Sequence, residues 1–467
     1  MRRPLLLIVL SVMLLSLTAS AENPRDMKFP ELNFTPAEPE RFTADNGLVV
    51  YFLKYDELPV VSMTAYFHGG EIYDTPEKAG LTDITAALLR NGGAGDRMPD
   101  QVDLDLDFVG ASISSNASSD FLSLNLNILK KDVELGLEIF SDILMRPAFD
   151  TAKVTLEISN TKDQIRRQND NPWDISRRVF YQSLYGEHPY GLYATIISLD
   201  NISRGDMIKQ HKTFYSPDNC ILAVSGDMTL DEVKAFVKRY FGDWKKSGKT
   251  PAPPTVAKKT YRGGVYYANK DINQANIRFG HMGLDNHNPD RYAMELLNFA
   301  LGGGGFTSRL MGQVRTTAGL AYSVGSYNYV RPYGGCVFNY CLTRADAMSR
   351  AVQMMLDIIA EVKKDGITAE ELQMARESII NSYVFNYDTP HELVSAKAYL
   401  ELTGFPPDQL KKNIEAYKTV TLADCNRAAR KYLDTEDIVI VITGNRELFD
   451  QPLETFGPVV EVSMEIK

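Results

Sequence analysis

Apolar and polar positions alternate early in the chain. Residues 47–53 (Gly-Leu-Val-Val-Tyr-Phe-Leu) and 60–67 (Val-Val-Ser-Met-Thr-Ala-Tyr-Phe) carry the short period and β-branched content of strands. A helix is expected next, then hairpin strands over 111–126, then a helix whose stripe is Val133, Leu137, Phe140 and Leu144. A second helix and a final strand, 221–227 (Ile-Leu-Ala-Val-Ser-Gly-Asp), complete the series. The same series then recurs. Residues 439–445 (Val-Ile-Val-Ile-Thr-Gly-Asn) repeat the final strand, with Gly444 lying 218 positions after Gly226. The same shift carries the first stripe onto a helix with Val352, Met355, Ile359 and Val362. The breaks Arg146-Pro147-Ala148 and Lys364-Asp365-Gly366 follow the two stripes, and Thr368 to Glu371 has the spacing of a capping box. Hairpin-spaced strands with grouped helices predict an α+β fold. Two homologous halves each carry an antiparallel sheet with helices packed on one face, and they close around a central chamber.

Composition narrows the class. Of 467 residues, 44% are hydrophobic and 24% charged, which suits a globular chain and excludes rods and disordered tails. The formal charge of −10, with no basic tract, excludes nucleic acid as the expected partner. Arg2 and Arg3, an apolar run over 5–17 and Ala19-Ser20-Ala21 read as a signal peptide over 1–21, cleaved after Ala21, with an exported, periplasmic product. No later apolar run is long enough to span a bilayer. The proline-rich stretch 249–254 marks the seam between halves 22–254 and 255–467. Cys220, Cys336, Cys341 and Cys425 form no CxxC; Cys336 and Cys341, five apart in a strand, point to opposite faces and read as buried thiols.

Several segments together are similar to the pitrilysin/insulinase family of zinc metallopeptidases. They are Glu187-His188-Pro189-Tyr190-Gly191, residues 214–219 (Phe-Tyr-Ser-Pro-Asp-Asn) with the Gly226-Asp227 turn, Ser308-Arg309-Leu310, residues 319–323 (Gly-Leu-Ala-Tyr-Ser), and the run Gly302, Gly303, Gly304, Gly305. The resemblance implies paired α/β halves closing around a peptide. It also implies a zinc motif, H-x-x-E-H, on the first helix of the first half, where two imidazoles one turn apart bind the metal and the glutamate acts as base. The matching segment here is 80–87 (Gly-Leu-Thr-Asp-Ile-Thr-Ala-Ala). Asp83 falls at the first histidine, Ala86 at the glutamate and Ala87 at the second histidine, while Gln164 takes the place of the third ligand. A methyl group neither binds zinc nor moves a proton. The six histidines (68, 188, 211, 281, 287 and 391) form no other ligand pattern. No metal is therefore expected on this chain.

The second half keeps what the family uses there. Arg315 and Tyr322 match its Arg–Tyr pair, which holds substrate carbonyls and donates to the oxyanion. Gly302, Gly303, Gly304 and Gly305 match the place of a substrate-contacting glycine loop. The expected function is that of an exported, zinc-free pseudopeptidase subunit. It would pair with an H-x-x-E-H homologue that carries the zinc, and supply Arg315 and Tyr322 in trans to a peptide substrate. Two other readings remain open on the sequence: a stand-alone peptide-binding or assembly protein, and an active zinc metalloendopeptidase with unusual ligands.

Overall fold

The computed structural model describes residues 35–248, 252 and 254–466. The signal segment 1–21 and most of the seam 249–254 lie outside the described residues. One sheet holds β1 (Glu40–Thr43), β2 (Val49–Lys54), β3 (Val60–His68), β4 (Ser112–Ala117), β5 (Phe121–Leu129) and β6 (Cys220–Gly226), in the order β1-β2-β6-β3-β5-β4. The other holds β7 (Gly264–Asn269), β8 (Gln274–Met282), β9 (Ala321–Tyr329), β10 (Cys336–Arg344), β11 (Val439–Gly444) and β12 (Val459–Glu461), in the order β12-β7-β11-β8-β10-β9. The repeat read from the sequence is thus a repeat of topology.

The sheets are mixed, which corrects the expectation of antiparallel ones. β2 runs parallel to β6, and β7 parallel to β11. The physical reason is the long return. β6 and β11 each arrive after a series of helices and insert between β2 and β3 and between β7 and β8 respectively, and only such a crossover can deliver a parallel neighbour. The hairpins β4–β5 and β9–β10 remain antiparallel, as their short connections require.

Among the described residues, eight helices accompany the first sheet in sequence: α1 (Leu81–Asn91), α2 (Pro99–Val109), α3 (Val133–Met145), α4 (Thr151–Arg166), α5 (Pro172–Tyr185), α6 (Ile196–Asp200), α7 (Arg204–Phe214) and α8 (Leu230–Phe241). Six follow in the second half: α9 (Arg291–Asn298), α10 (Met348–Asp365), α11 (Ala369–Tyr383), α12 (Pro390–Leu402), α13 (Gln409–Thr419) and α14 (Leu422–Tyr432). The stripes of α3 and α10 are buried as their spacing predicts, and Thr368 closes a capping box with Glu371 at the start of α11.

The expectation of helices on one face only is also corrected. β6 is buried along its whole length. Leu222 and Val224 enter the core of the first half, while Ile221 and Ala223, on the opposite face, pack with Val394, Ala398 and Leu402 of α12. Reciprocally, Ile175, Val179, Phe180 and Leu184 of α5 pack with Val439 and Val441 of β11. Each half therefore lends one helix to the far face of the other's sheet. This explains why β6 and β11 are continuously apolar rather than alternating. Each large side chain so buried contributes roughly 1.5–3 kcal/mol.

All four cysteines are buried free thiols. No described helix is long and apolar enough to cross a membrane.

Candidate functional site

The site is built from the start of α1. Gly80 precedes the helix with φ +97°, a left-handed conformation that glycine adopts without strain. Asp74 then serves the exposed helix start. Its Oδ2 accepts from the Gly80 amide at 3.0 Å and the Thr82 amide at 3.3 Å, and its Oδ1 accepts from Thr82 Oγ1 at 2.6 Å. Burial nevertheless pushes the Asp74 carboxyl up to about 6, against these hydrogen bonds. This anchoring fixes the first turn and with it Asp83.

Asp83 and Gln164 come together on one cavity of about 810 Å3. The first half also contributes Glu71, Asp74, Gln168 and Tyr190 to its wall, and the second half Tyr327, Asn328, Tyr329, Arg331 and Phe338. Desolvation of its carboxyl at the cavity, and then the neighbouring Glu71 carboxylate, hold Asp83 above the usual carboxylate range. Ser119 Oγ donates to Glu71 Oε2 at 3.0 Å. Ala86 is buried and Ala87 half-buried on α1, and neither lines the cavity. The donor set does not fit zinc: one protonatable carboxyl and one neutral amide stand where the pattern needs two imidazoles and a carboxylate. Among the described residues, no group of three or more His, Cys, Asp or Glu side chains could hold a metal ion.

Arg315 and Tyr322 lie together but elsewhere. The Arg315 guanidinium carbon sits 4.8 Å from the Tyr322 ring centre and 4.9 Å from that of Phe306. Tyr322 is 76% exposed at the start of β9, whereas the residues of β9 that line the cavity, Tyr327 to Tyr329, are at its other end. The glycine run follows α9. Gly302 approaches β9 so closely that a Cβ would stand 2.5 Å from the Ser326 amide nitrogen. Gly303 and Gly304 press on Asn298 and Phe299, and Gly305 has φ +57°. Gly302, Gly303 and Gly304 are packed too closely for a Cβ, and none of the four glycines lines the cavity.

Sequence reasoning missed a buried constellation on the same wall. Arg331 is 5% exposed, and its guanidinium carbon lies 3.3 Å from the Tyr190 ring centre. Its Nε stands 3.6 Å from Asp120 Oδ2, while the Tyr190 hydroxyl donates to Asp120 Oδ1. Only Tyr190 carried a signal, as part of the segment 187–191.

Two family profiles match in tandem. "Insulinase (Peptidase family M16)" covers residues 51–194 and "Peptidase M16 inactive domain" covers 201–379. The chain belongs to peptidase family M16. Relatives span most of its length. An uncharacterized zinc protease of Bacillus subtilis is 24% identical over 86% of this chain and 97% of its own. Another, of Mycobacterium leprae, is 26% identical over 70% of this chain and 75% of its own. The fold is shared with the crystal structure of a peptidase M16 inactive domain from Pseudomonas fluorescens (TM-score 0.80, 23% identity, 88% of this chain and 98% of that one). It is shared too with a protease from Helicobacter pylori (TM-score 0.78, 18% identity, 87% and 99%). In this M16 chain the insulinase match contains α1 and α4, with Asp83, Ala86, Ala87 and Gln164, and the inactive-domain match contains Arg315 and Tyr322.

Proposed function

We propose that this chain is the zinc-free subunit of an exported, periplasmic two-subunit M16 peptidase, paired with a homologue that bears H-x-x-E-H and the zinc. The observation that carries the reading is the unequal fate of the two halves. On α1 the ligand and base positions hold Asp83, Ala86 and Ala87, while the second half keeps Arg315 stacked on an exposed Tyr322. A methyl group at the base position leaves this chain unable to activate water, so hydrolysis needs the partner. The Tyr322 hydroxyl can donate to the oxyanion that develops on an attacked carbonyl, and the Arg315 fork can hold backbone carbonyls of the peptide. Neither role needs the buried cavity. Both need access from outside the chain, which the exposure of Tyr322 supports.

The test is cleavage of a peptide by the co-purified pair. Tyr322→Phe lowers kcat by roughly a hundredfold to a thousandfold, the usual cost of one oxyanion donor. The complex itself stays intact, because the ring still stacks on Arg315. Arg315→Ala acts mainly on KM. Unchanged cleavage in both variants reduces the chain to a structural prop. About one tightly held zinc on the purified single chain overturns the reading altogether.

A further inference from the structure

A second cavity, of about 500 Å3, lies on the far face of the second sheet, where β8, β9 and β10 meet the start of α5. Its floor is set by register. Asn276, Leu342 and Ser323 stand side by side across β8, β10 and β9, and Arg278, Tyr340 and Gly325 form the next row. Gly325 leaves room for the Tyr340 ring: a Cβ there would stand 2.9 Å from the ring's Cε1 and from its hydroxyl. Tyr340 and Tyr327 are near-parallel, with ring centres 5.8 Å apart at 26°. Trp173, in the first turn of α5, stands at 87° to Tyr340 with ring centres 5.3 Å apart, and makes a wall to this floor. The buried Arg278 guanidinium lies 4.7 Å from the Trp173 ring centre and 4.6 Å from that of Phe338, which holds the indole in place. Among the described residues, no side chain lining the cavity is charged. Asn276 is 5% exposed and lines the cavity, yet its side-chain amide has no hydrogen-bond partner among the described residues. A buried amide left unpaired is costly, so this one marks a place where a ligand supplies both a donor and an acceptor.

We propose that this cavity binds a short neutral oligosaccharide built of glucose-configured rings. A charged ligand would find no counter-charge in the lining, and a wholly apolar one would leave Asn276 unpaired. A proline-rich peptide suits aromatic grooves but has no N–H to offer Asn276 Oδ1. A sugar hydroxyl is donor and acceptor at once, so two neighbouring hydroxyls satisfy both ends of the Asn276 amide, and Ser323 and Gln274 add polar groups to the same lining. A glucose-configured ring carries its hydroxyls equatorially, which leaves C–H bonds on both faces to pack on Tyr327, Tyr340 and Trp173. The volume lies in the range of pockets that enclose small ligands. Of the lining residues only Tyr327 also borders the larger cavity, so the site is separate from the degenerate metal position. The inference concerns this chain alone and depends neither on a zinc-bearing partner nor on proteolysis.

The chain has two tryptophans, and Trp244 is buried in the core of the first half, so Trp173 reports on the site. The experiment follows the tryptophan emission of the full chain during titration with cellotriose, β-1,4-galactotriose and tetraproline. Cellotriose gives a saturable change and tetraproline gives none. Galactotriose, whose axial hydroxyls interrupt one face of each ring, binds more weakly by roughly tenfold or more. Asn276→Leu weakens cellotriose by roughly tenfold or more, the worth of a pair of neutral hydrogen bonds. Its melting temperature holds or rises, because a buried unpaired amide is gone. A packing role alone for Asn276 would do the reverse, lowering the melting temperature and leaving the affinity unchanged. Tyr327→Ala, at a half-exposed position, also weakens cellotriose. Four results overturn the inference: no saturable change with cellotriose, equal binding of galactotriose, binding of tetraproline in place of the sugar, or cellotriose binding untouched by both variants. If Asn276→Leu fails to fold, Tyr327→Ala and the wild-type probe series still decide.

Discussion

Asp83, exposed, and Ala87, half-buried, are one helical turn apart on α1, and Gln164 lines the cavity with Asp83. Asp83→His, Ala87→His and Gln164→Glu together therefore assemble two imidazoles and a carboxylate. Ala86 is left alone, because it is buried and is not a ligand position. The expected result is about one zinc per chain after dialysis, with a melting temperature that rises with added zinc, since a ligand bound only by the folded state stabilises it. A triple variant that folds and stays metal-free shows that α1 and α4 are not placed as in a zinc-binding relative. The structure brings Asp83 and Gln164 onto one cavity, and these positions were picked out in the sequence by their resemblance to the family's motif. Arg331 was not. Its surroundings, Asp120, Tyr190 and Tyr329, come from separate parts of the chain, and nothing local to Arg331 announces that burial will leave its nitrogens without acceptors.

At the scale of elements, the strands and the stripes of α3 and α10 were legible because each follows from a period within one segment. The exchange of α5 and α12 was not. An amphipathic pattern says that a helix has an apolar face and does not say which sheet receives it. The exchange carries its own titratable group. His391, in the first turn of α12, reaches across to the first sheet. Its Nε2 lies 2.9 Å from Thr64 Oγ1 and its Nδ1 3.1 Å from Ser225 Oγ. Thr64 gives its own hydrogen to Asn125 Oδ1 at 2.8 Å, so Nε2–H is assigned as donor to Thr64 and Nδ1 as acceptor from Ser225. Burial pushes the imidazole down from 6.5 to about 4. The folded chain thus binds fewer protons than the unfolded one between these values. The stability contributed by neutral His391 is full above pH 6.5 and is lost as pH falls toward 4. At pH 5 the loss amounts to about 2 kcal/mol. Denaturant unfolding at pH 7 and pH 5 should show this drop in the wild type and a correspondingly smaller one in His391→Gln. Equal drops in the two proteins would show that His391 is protonated in the folded state.

At the scale of the whole molecule, the exchange makes each half incomplete without the other. Without α12 the first sheet would expose Tyr51, Ile221 and Ala223, and without α5 the second would expose Val439 and Val441. Polar contacts cross at the same place. Arg41 holds Glu401 through two hydrogen bonds of 2.9 and 2.7 Å, Tyr51 donates to Glu401 at 2.5 Å, and Lys397 pairs with Glu38 at 2.9 Å. The exposed members of this set are worth little individually, while the apolar faces contribute several kcal/mol each. That is a large share of the roughly 5–15 kcal/mol that holds a typical fold. The cavity with Asp83 and Arg331 is walled by both halves, so the same clasp keeps its walls in register. A protease site inserted into 249–254, followed by cleavage, should yield two fragments that still elute together on size exclusion and melt in one transition. Either fragment expressed alone should aggregate or bind a hydrophobic dye. Separation of the fragments after cleavage would mean that the exchanged helices decorate two self-sufficient domains.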